Sequence, residues 1–303
     1  MYFILTDEND VLDINNSNVI CKSGLSNAIR NPVYYQYFRQ EYLRKLNENR
    51  IIFVDIDYNK CCYLRIVLSK LDNNKVIFSD RYYLYDPKTI KKFNIEVNES
   101  FITCASANGC VNVLEWWFNS GLPLKYDVRV LDGSFENGHV DVLEWWKNTG
   151  LPLECSQDAF EKASENGHLE VLKWWKTSGL PSGLKNSERA VDKASANGHV
   201  EVLTWWLNNG FQYSSYAVDK ASANGHVNVL EWWKNIGIGL KYTNKALDTA
   251  GYNGHVHVLN WWIHSGLGLQ YSRNAFDFAV VNNHYEFVEL LKNSTLIGSL
   301  IGF

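Results

Sequence analysis

Apolar positions recur in blocks along the second two thirds of the chain. One block, V-x-V-L-x-W-W, is Val227, Val229, Leu230, Trp232 and Trp233, and sister blocks end on tryptophan pairs at 116/117, 145/146, 174/175, 205/206 and 261/262. The steps between pairs are 29, 29, 31, 27 and 29 residues. A fixed period of this size marks a repeat array. A seventh block, NNHYEFVELLK, carries Leu290 and Leu291 at the tryptophan positions, so the chain itself equates the tryptophan pair with a leucine pair.

Each unit reads as two short helices. Asn98, Asp127, Ser156, Ser187, Ser214, Thr243 and Ser272 stand at one constant place, and all are types that cap a helix N-terminus. Four residues on comes an apolar side chain: Ile102, Leu131, Phe160, Val191, Val218, Leu247 or Phe276. Tyr126, Tyr213, Tyr242 and Tyr271 precede the cap, as a hydrophobic staple would. Alanines at 159/163, 190/194, 217/221 and 246/250 make a narrow i, i+4 face that lets a neighbouring helix come close. The first helix ends at Asn-Gly, with Gly109, Gly138, Gly167, Gly198, Gly225 and Gly254 in the left-handed position and Asn283 as the tolerated substitute. The second helix stops at Gly121, Gly150, Gly179, Gly210, Gly237 or Gly266, and Pro123, Pro152 and Pro181 follow two residues after the first three.

These residues resemble the ankyrin repeat. In NGHVEVLTWWLNNG (197–210) a Gly-His turn leads into two valines, a leucine and a closing glycine. The chain departs from the family in period (33 there), in lacking the T-P-L-H element, and in its tryptophans. The four missing residues are expected to come out of the β-hairpin finger between units. The form GHVxVLEWWKNxGLPLKYS is also similar to ankyrin-type paralogues of giant DNA viruses of amoebae, over roughly residues 98–293.

Three patterns invite sharper chemistry. His139, His168, His199, His226, His255 and His284 occur once per unit. Stacked helices lie about 8–10 Å apart, too far for successive units to share a metal ion bound at about 2.0–2.1 Å, so these read as turn histidines bonded to backbone. The tryptophans offer a stacking platform for nucleic acid, but they alternate with leucine and read as core. Truncating one, Trp205 for example, is then expected to cost on the order of 3–5 kcal/mol. Asp132, Glu161, Asp192, Asp219, Asp248 and Asp277 hold one position of the first helix and read as a solvated or backbone-bonding ladder rather than acid–base pairs.

Residues 1–95 lack the period. MYFIL, 50–58, 61–69 and 75–85 read as strands, DYNK and DNNK as hairpin turns, and 31–46 as a helix. Asp86-Pro87 marks the passage to the array. Asp55 and Asp57 in IIFVDID resemble the D-x-D of certain phosphatases over seven residues only, with Tyr58-Asn59 where Gly-Thr would follow. No phosphate-binding G-x-x-x-x-G-K-[ST] loop exists in the chain.

Composition changes this picture little. The chain has 303 residues, 46 % hydrophobic, with net charge −4. That charge is too mild to imply a nucleic-acid or membrane partner. The six cysteines form no CxxC pair and fit a reducing compartment. Neither a signal peptide nor an apolar run of membrane-spanning length is read, so the expectation is a cytoplasmic protein, in a host cell if viral.

The fold expected is mainly α: an ankyrin-like helix-turn-helix solenoid with a small N-terminal α+β domain. The boundaries are 1–95 (a capping domain), 96–293 (seven repeats) and 294–303 (an apolar tail). The expected function is non-catalytic protein–protein interaction, with no cofactor, no metal and no catalytic residue. A monomer is favoured. The resemblance implies binding through the concave, first-helix face. Positions just after each cap vary between units while the framework repeats: Val128/Arg129, Gln157/Asp158, Glu188/Arg189, Ser215/Tyr216, Asn244/Lys245 and Arg273/Asn274. They are the candidate partner-binding surface, although exposed positions that simply drift give the same variation. A self-assembling structural protein and an enzyme seated in 1–95 are the alternatives.

Overall fold

The computed structural model describes residues 2–6, 13–15, 18–20, 63–71, 75–78, 82–180, 188–210 and 212–301. The expected helix at 31–46, the strand at 50–58, Asp55, Asp57, Pro181 and the Ser187 cap lie outside the described residues.

Near the N-terminus, β1 (Tyr2–Thr6), β4 (Tyr63–Leu71), β5 (Lys75–Phe78) and β6 (Tyr82–Tyr83) form one antiparallel sheet. β1 pairs with β4, Tyr2 opposite Val67 and Thr6 opposite Tyr63. β5 pairs with β4, with Leu71 opposite Lys75; residues 72–74 of the expected DNNK turn lie outside the described residues. β2 (Asp13–Asn15) and β3 (Asn18–Ile20) make a separate ribbon. Of the strand expected over 75–85, β5 and β6 are described and 79–81 lie outside the described residues; it ends at Tyr83, because Leu84 and Tyr85 already turn. Asp86-Pro87 is more than a boundary. Asp86 caps a helix, α1 (Pro87–Phe93), by accepting the Lys88 N–H at 2.9 Å, with proline in the first turn.

Seven helix pairs follow: α2/α3 (Glu99–Ala107, Val111–Phe118), α4/α5 (Arg129–Asn137, Val140–Asn148), α6/α7 (Gln157–Glu165, Leu169–Ser178), α8/α9 (Glu188–Ala196, Val200–Asn208), α10/α11 (Ser215–Ala223, Val227–Asn235), α12/α13 (Lys245–Tyr252, Val256–His264) and α14/α15 (Arg273–Val281, Tyr285–Ile301). This is the ankyrin-like helix-turn-helix fold. The described linkers between pairs contain no strand, in keeping with shortened fingers. The apolar stretch after residue 293 continues α15. By its contacts the chain divides into two bodies, Met1–Ser134 with Asp141–Leu153, and Phe135–Val140 with Glu154–Phe303.

The helix starts follow local chemistry. Asn98, Ser156, Ser214 and Ser272 each accept a backbone N–H from the first turn of the helix they precede. Asp127 and Thr243 do the same for Arg129 and Lys245. The turn glycines adopt φ of 71–85°, and Asn283 takes 63°. The first-helix alanines, and the paired Val and Leu of the second helices through the sixth unit, are buried.

Burial divides the tryptophan pairs, which corrects the expectation that both are core. Trp117, Trp146, Trp206, Trp233 and Trp262 are at most 3 % exposed. Their partners Trp116, Trp145, Trp205, Trp232 and Trp261 are only half-buried. Successive residues on a helix point about 100° apart, so an adjacent pair cannot share one face. The half-buried set still reaches back one unit: Trp145 and Trp261 donate indole N–H bonds to Glu115 and Glu231, and Trp232 to the Thr204 hydroxyl.

The buried tryptophans have a serine partner that the sequence reading missed. Trp146, Trp206, Trp233 and Trp262 donate to the hydroxyls of Ser106, Ser164, Ser195 and Ser222 at 3.0–3.1 Å. Each serine lies three residues before the turn glycine of the preceding unit. Two units lack it. In the second, Phe135 takes the place, and the buried Trp175 indole N–H has no hydrogen-bond partner among the described residues. In the sixth, Gly251 takes it, and the residue that follows one unit later is Leu291, which has no donor to satisfy.

Candidate partner-binding face

Two further ladders hold the first helices in place, and both leave the outer side of their N-terminal turns free. Asp192 accepts from the backbone N–H and the hydroxyl of Ser214 at the next cap. Asp219 does so with Thr243 (2.8 and 2.6 Å), and Asp248 with Ser272 (2.7 and 2.6 Å). The acidic ladder is therefore backbone-bonding, as expected, but it is turned inward to the next unit instead of out to solvent. Burial pushes the Asp192 and Asp219 carboxyls up, and the cap hydrogen bonds oppose that push. Glu161 is buried too, taking Gln157 and Arg189 as partners. Asp277, in the last unit, pairs with Arg273 of its own helix.

The histidines close the other end. The ring Nε2 of His199 lies 3.0 Å from the Glu165 carbonyl oxygen, and that of His284 lies 3.1 Å from the Tyr252 carbonyl oxygen. A carbonyl only accepts, so Nε2 carries the proton. His168, His226 and His255 likewise bond the backbone of Glu136, Ala196 and Ala223, and burial lowers the pKa of all three. The turn asparagines Asn166, Asn224 and Asn253 donate to the same three carbonyls. The imidazole also fills the space over the preceding turn glycine: a Cβ on Gly198 would stand 2.9 Å from His226 Nδ1. Glycine is thus required twice, for its φ and for its missing side chain.

The tyrosines before the caps lie on the buried tryptophans, with ring centroids 5.1, 4.3 and 4.7 Å apart for Tyr126–Trp146, Tyr213–Trp233 and Tyr242–Trp262. Their hydroxyls donate to the carbonyls of Pro152, Gly239 and Gly268 in the following linker. Cap, tyrosine and linker are fixed together, and this positions the two residues after each cap.

The structure separates the twelve candidate surface residues. Arg129, Asp158, Arg189, Tyr216, Lys245 and Asn274, second after each cap, are exposed. Val128 and Arg273 are exposed as well. Gln157 and Asn244 turn back to Glu161 and Asp248 of their own helices and belong to the framework. Glu188 and Ser215 are half-buried. Arg129 binds Glu99 and Asp127, and its guanidinium lowers the Asp127 carboxyl to about 2. One and two turns further along, the same stripe carries Lys162, Lys193, Lys220, Tyr252, Phe278 and Val281 (i+4 and i+7), which the reading by cap position left out. No group of three or more His, Cys, Asp or Glu side chains among the described residues is placed to hold a metal ion. Among the described residues no helix is long and apolar enough to cross a membrane.

A family model described as ankyrin repeats (many copies) matches residues 191–232. That span runs from α8 to the first tryptophan of α11 and contains two Gly-His turns. No curated protein matches the chain. Among solved structures, the crystal structure of the human ASB11 ankyrin repeat domain aligns at 17 % identity and a TM-score of 0.47, covering 60 % of this chain and 95 % of that one. Ankyrin repeats as a class are non-enzymatic scaffolds for protein–protein interaction.

Proposed function

We propose that this chain is a non-catalytic scaffold that binds a partner protein through the outer face of its first helices. The observation that carries the proposal is the division of labour in those helices. Their Asp, Ser, Asn and Ala positions are committed to the neighbouring unit, while the second position after six of the seven caps is exposed and varies between units: Arg129, Asp158, Arg189, Tyr216, Lys245, Asn274. A repeating framework under a non-repeating surface is the arrangement of a specialised binding array. The likeness of the WW units to paralogues of giant viruses supports placing the protein in the cytoplasm of an infected host cell, and rests on the motif alone.

The test is affinity capture from host lysate on the full chain and on a folded variant carrying Arg189→Glu, Tyr216→Ser and Lys245→Glu. A protein retained by the first and lost by the second is the expected result. Equal retention would move the site elsewhere. If neither chain retains a specific protein, the scaffold reading is wrong.

A further inference from the structure

The exposed stripe changes character along the second body. On α6 and α8 its cations are compensated within the array: Lys162 meets Glu136 and Glu165, Lys193 meets Glu165 at 2.8 Å, and Arg189 meets Glu161. From α10 onward the stripe is aromatic, aliphatic and cationic. Tyr216 is 49 % exposed, Tyr252 51 %, Phe278 40 % and Val281 77 %. Tyr252 and Phe278 touch edge to face with centroids 5.8 Å apart, across neighbouring helices. The Lys220 ammonium stands 5.1 Å over the Tyr216 ring. Neither Lys220 nor Lys245 forms an ion pair among the described residues. The acids of α10 and α12, Asp219 and Asp248, are buried and already hold the next caps. The result is an apolar patch, with two cations that no salt bridge neutralises, on one face of three adjacent helices.

We infer that this patch is the docking site for an acidic, extended peptide segment of the partner, with Lys220 and Lys245 taking its carboxylates and Tyr252, Phe278 and Val281 taking an apolar side chain. The inference rests on the scaffold reading above and names the partner's chemistry. Charge complementarity selects the acidic occupant, and the exposed aromatics supply the anchor that a charged rim alone lacks. The spacing is specific. Neighbouring helices stand about 8–10 Å apart, and an extended chain rises about 3.3 Å per residue. Carboxylates three residues apart therefore reach the two lysines, and an apolar residue about three further on reaches the Tyr252–Phe278 pair. Single-stranded nucleic acid also stacks on aromatics beside cations. Two lysines on a chain of net charge −4 give it little of the phosphate neutralisation it needs.

The experiment is selection of random 12-residue peptides on the full chain, followed by affinity measurements on the winners. The expected winners carry Asp or Glu at i and i+3 with an aromatic or aliphatic residue near i+6. Lys220→Glu with Lys245→Glu should weaken them at least tenfold, Phe278→Ser should weaken them severalfold, and Lys176→Glu, exposed on the second helix α7, should change them less than twofold. Binding should also weaken as salt rises. Lys245 and Phe278 are exposed and Lys220 is half-buried, and circular-dichroism melts verify that the variants fold. Winners that are neutral or basic, acidic winners indifferent to the lysine pair, no winners at all, or displacement by a 15-nucleotide oligo-dT each overturn the assignment. In those cases the scaffold reading still stands if lysate capture retains a partner, and falls if it does not.

Discussion

Removing one hydroxyl from the core tests the tryptophan–serine ladder. Ser195 and Trp233 are both fully buried and joined by a 3.0 Å hydrogen bond. Ser195→Ala deletes the acceptor and leaves the indole N–H orphaned. An unsatisfied buried donor costs about 1–3 kcal/mol, so a loss near 2 kcal/mol is expected. The same substitution in a Trp233→Leu background, which copies the Leu291 of the seventh unit, should cost little, giving a coupling energy of about 1–2 kcal/mol in the double-mutant cycle. Trp175 is the internal control, because its N–H already lacks a hydrogen-bond partner among the described residues. Trp175→Phe should therefore cost about 1–3 kcal/mol less than Trp233→Phe, which also strands the Ser195 hydroxyl. Urea titrations of the full-length variants, followed by circular dichroism and compared only where the slope is unchanged, supply the numbers. A coupling energy within about 0.3 kcal/mol of zero, or equal losses at Trp175 and Trp233, would refute the reasoning.

Four further outcomes follow. Asp219→Asn should lose about 1–2 kcal/mol, because its new amide meets the donors of Thr243, whereas Asp277→Asn, which gives up only an exposed pair within its own helix, should change stability by a few tenths; urea midpoints decide. Gly198→Ala should cost well over the ~1–2 kcal/mol of a left-handed alanine, since its Cβ also displaces His226, while Asn283→Ala, where a Cβ is already present, adds no atom to the site; thermal melts of both are compared. Trp205→Ala, half-buried, should cost markedly less than Trp206→Ala, 3 % exposed, for which about 3–5 kcal/mol is expected. Burial holds His168, His226 and His255 below their ordinary value of 6.5, so the unfolded chain takes up protons first: their stabilisation is complete above pH 6.5 and is lost as pH falls. The melting temperature should drop between pH 7.5 and 5.5, and His226→Gln should flatten that slope. Asp192 and Asp219, raised in the fold, act in the opposite sense: their contribution is complete below the unfolded value of 3.8 and is lost as pH rises through the folded value, so they do not cause this loss.

What was legible in the sequence is what local physics specifies. A cap acts on a backbone two or three residues ahead, and a left-handed turn needs glycine or asparagine at one position, so Ser214, Gly225 and Asn283 announce their roles within a few residues. The ladders bond across 22 to 42 positions, and no single window shows that Asp192 serves Ser214 or that Trp206 serves Ser164. A signal did exist in the alignment of the units. Serine recurs three residues before the turn glycine, and its replacements, Phe135 and Gly251, fall one unit before a stranded tryptophan and a leucine. The tryptophan pair was misread because Leu290-Leu291 suggests the whole pair is core, whereas helical geometry buries only one of two neighbours. At the candidate face, the cap register located Tyr216 and Lys245. Tyr252, Phe278 and Val281 required following the helix one and two turns further.

The central claim is that the first-helix face, not the second-helix face, meets the partner. Hydrogen exchange read by mass spectrometry on the full chain, alone and with the captured partner, tests it most directly. Protection is predicted in the peptides spanning the starts of α8, α10, α12 and α14, around Arg189, Tyr216, Lys245 and Asn274. Protection confined to the second helices, around Asn228, Glu231 and His257, would contradict it.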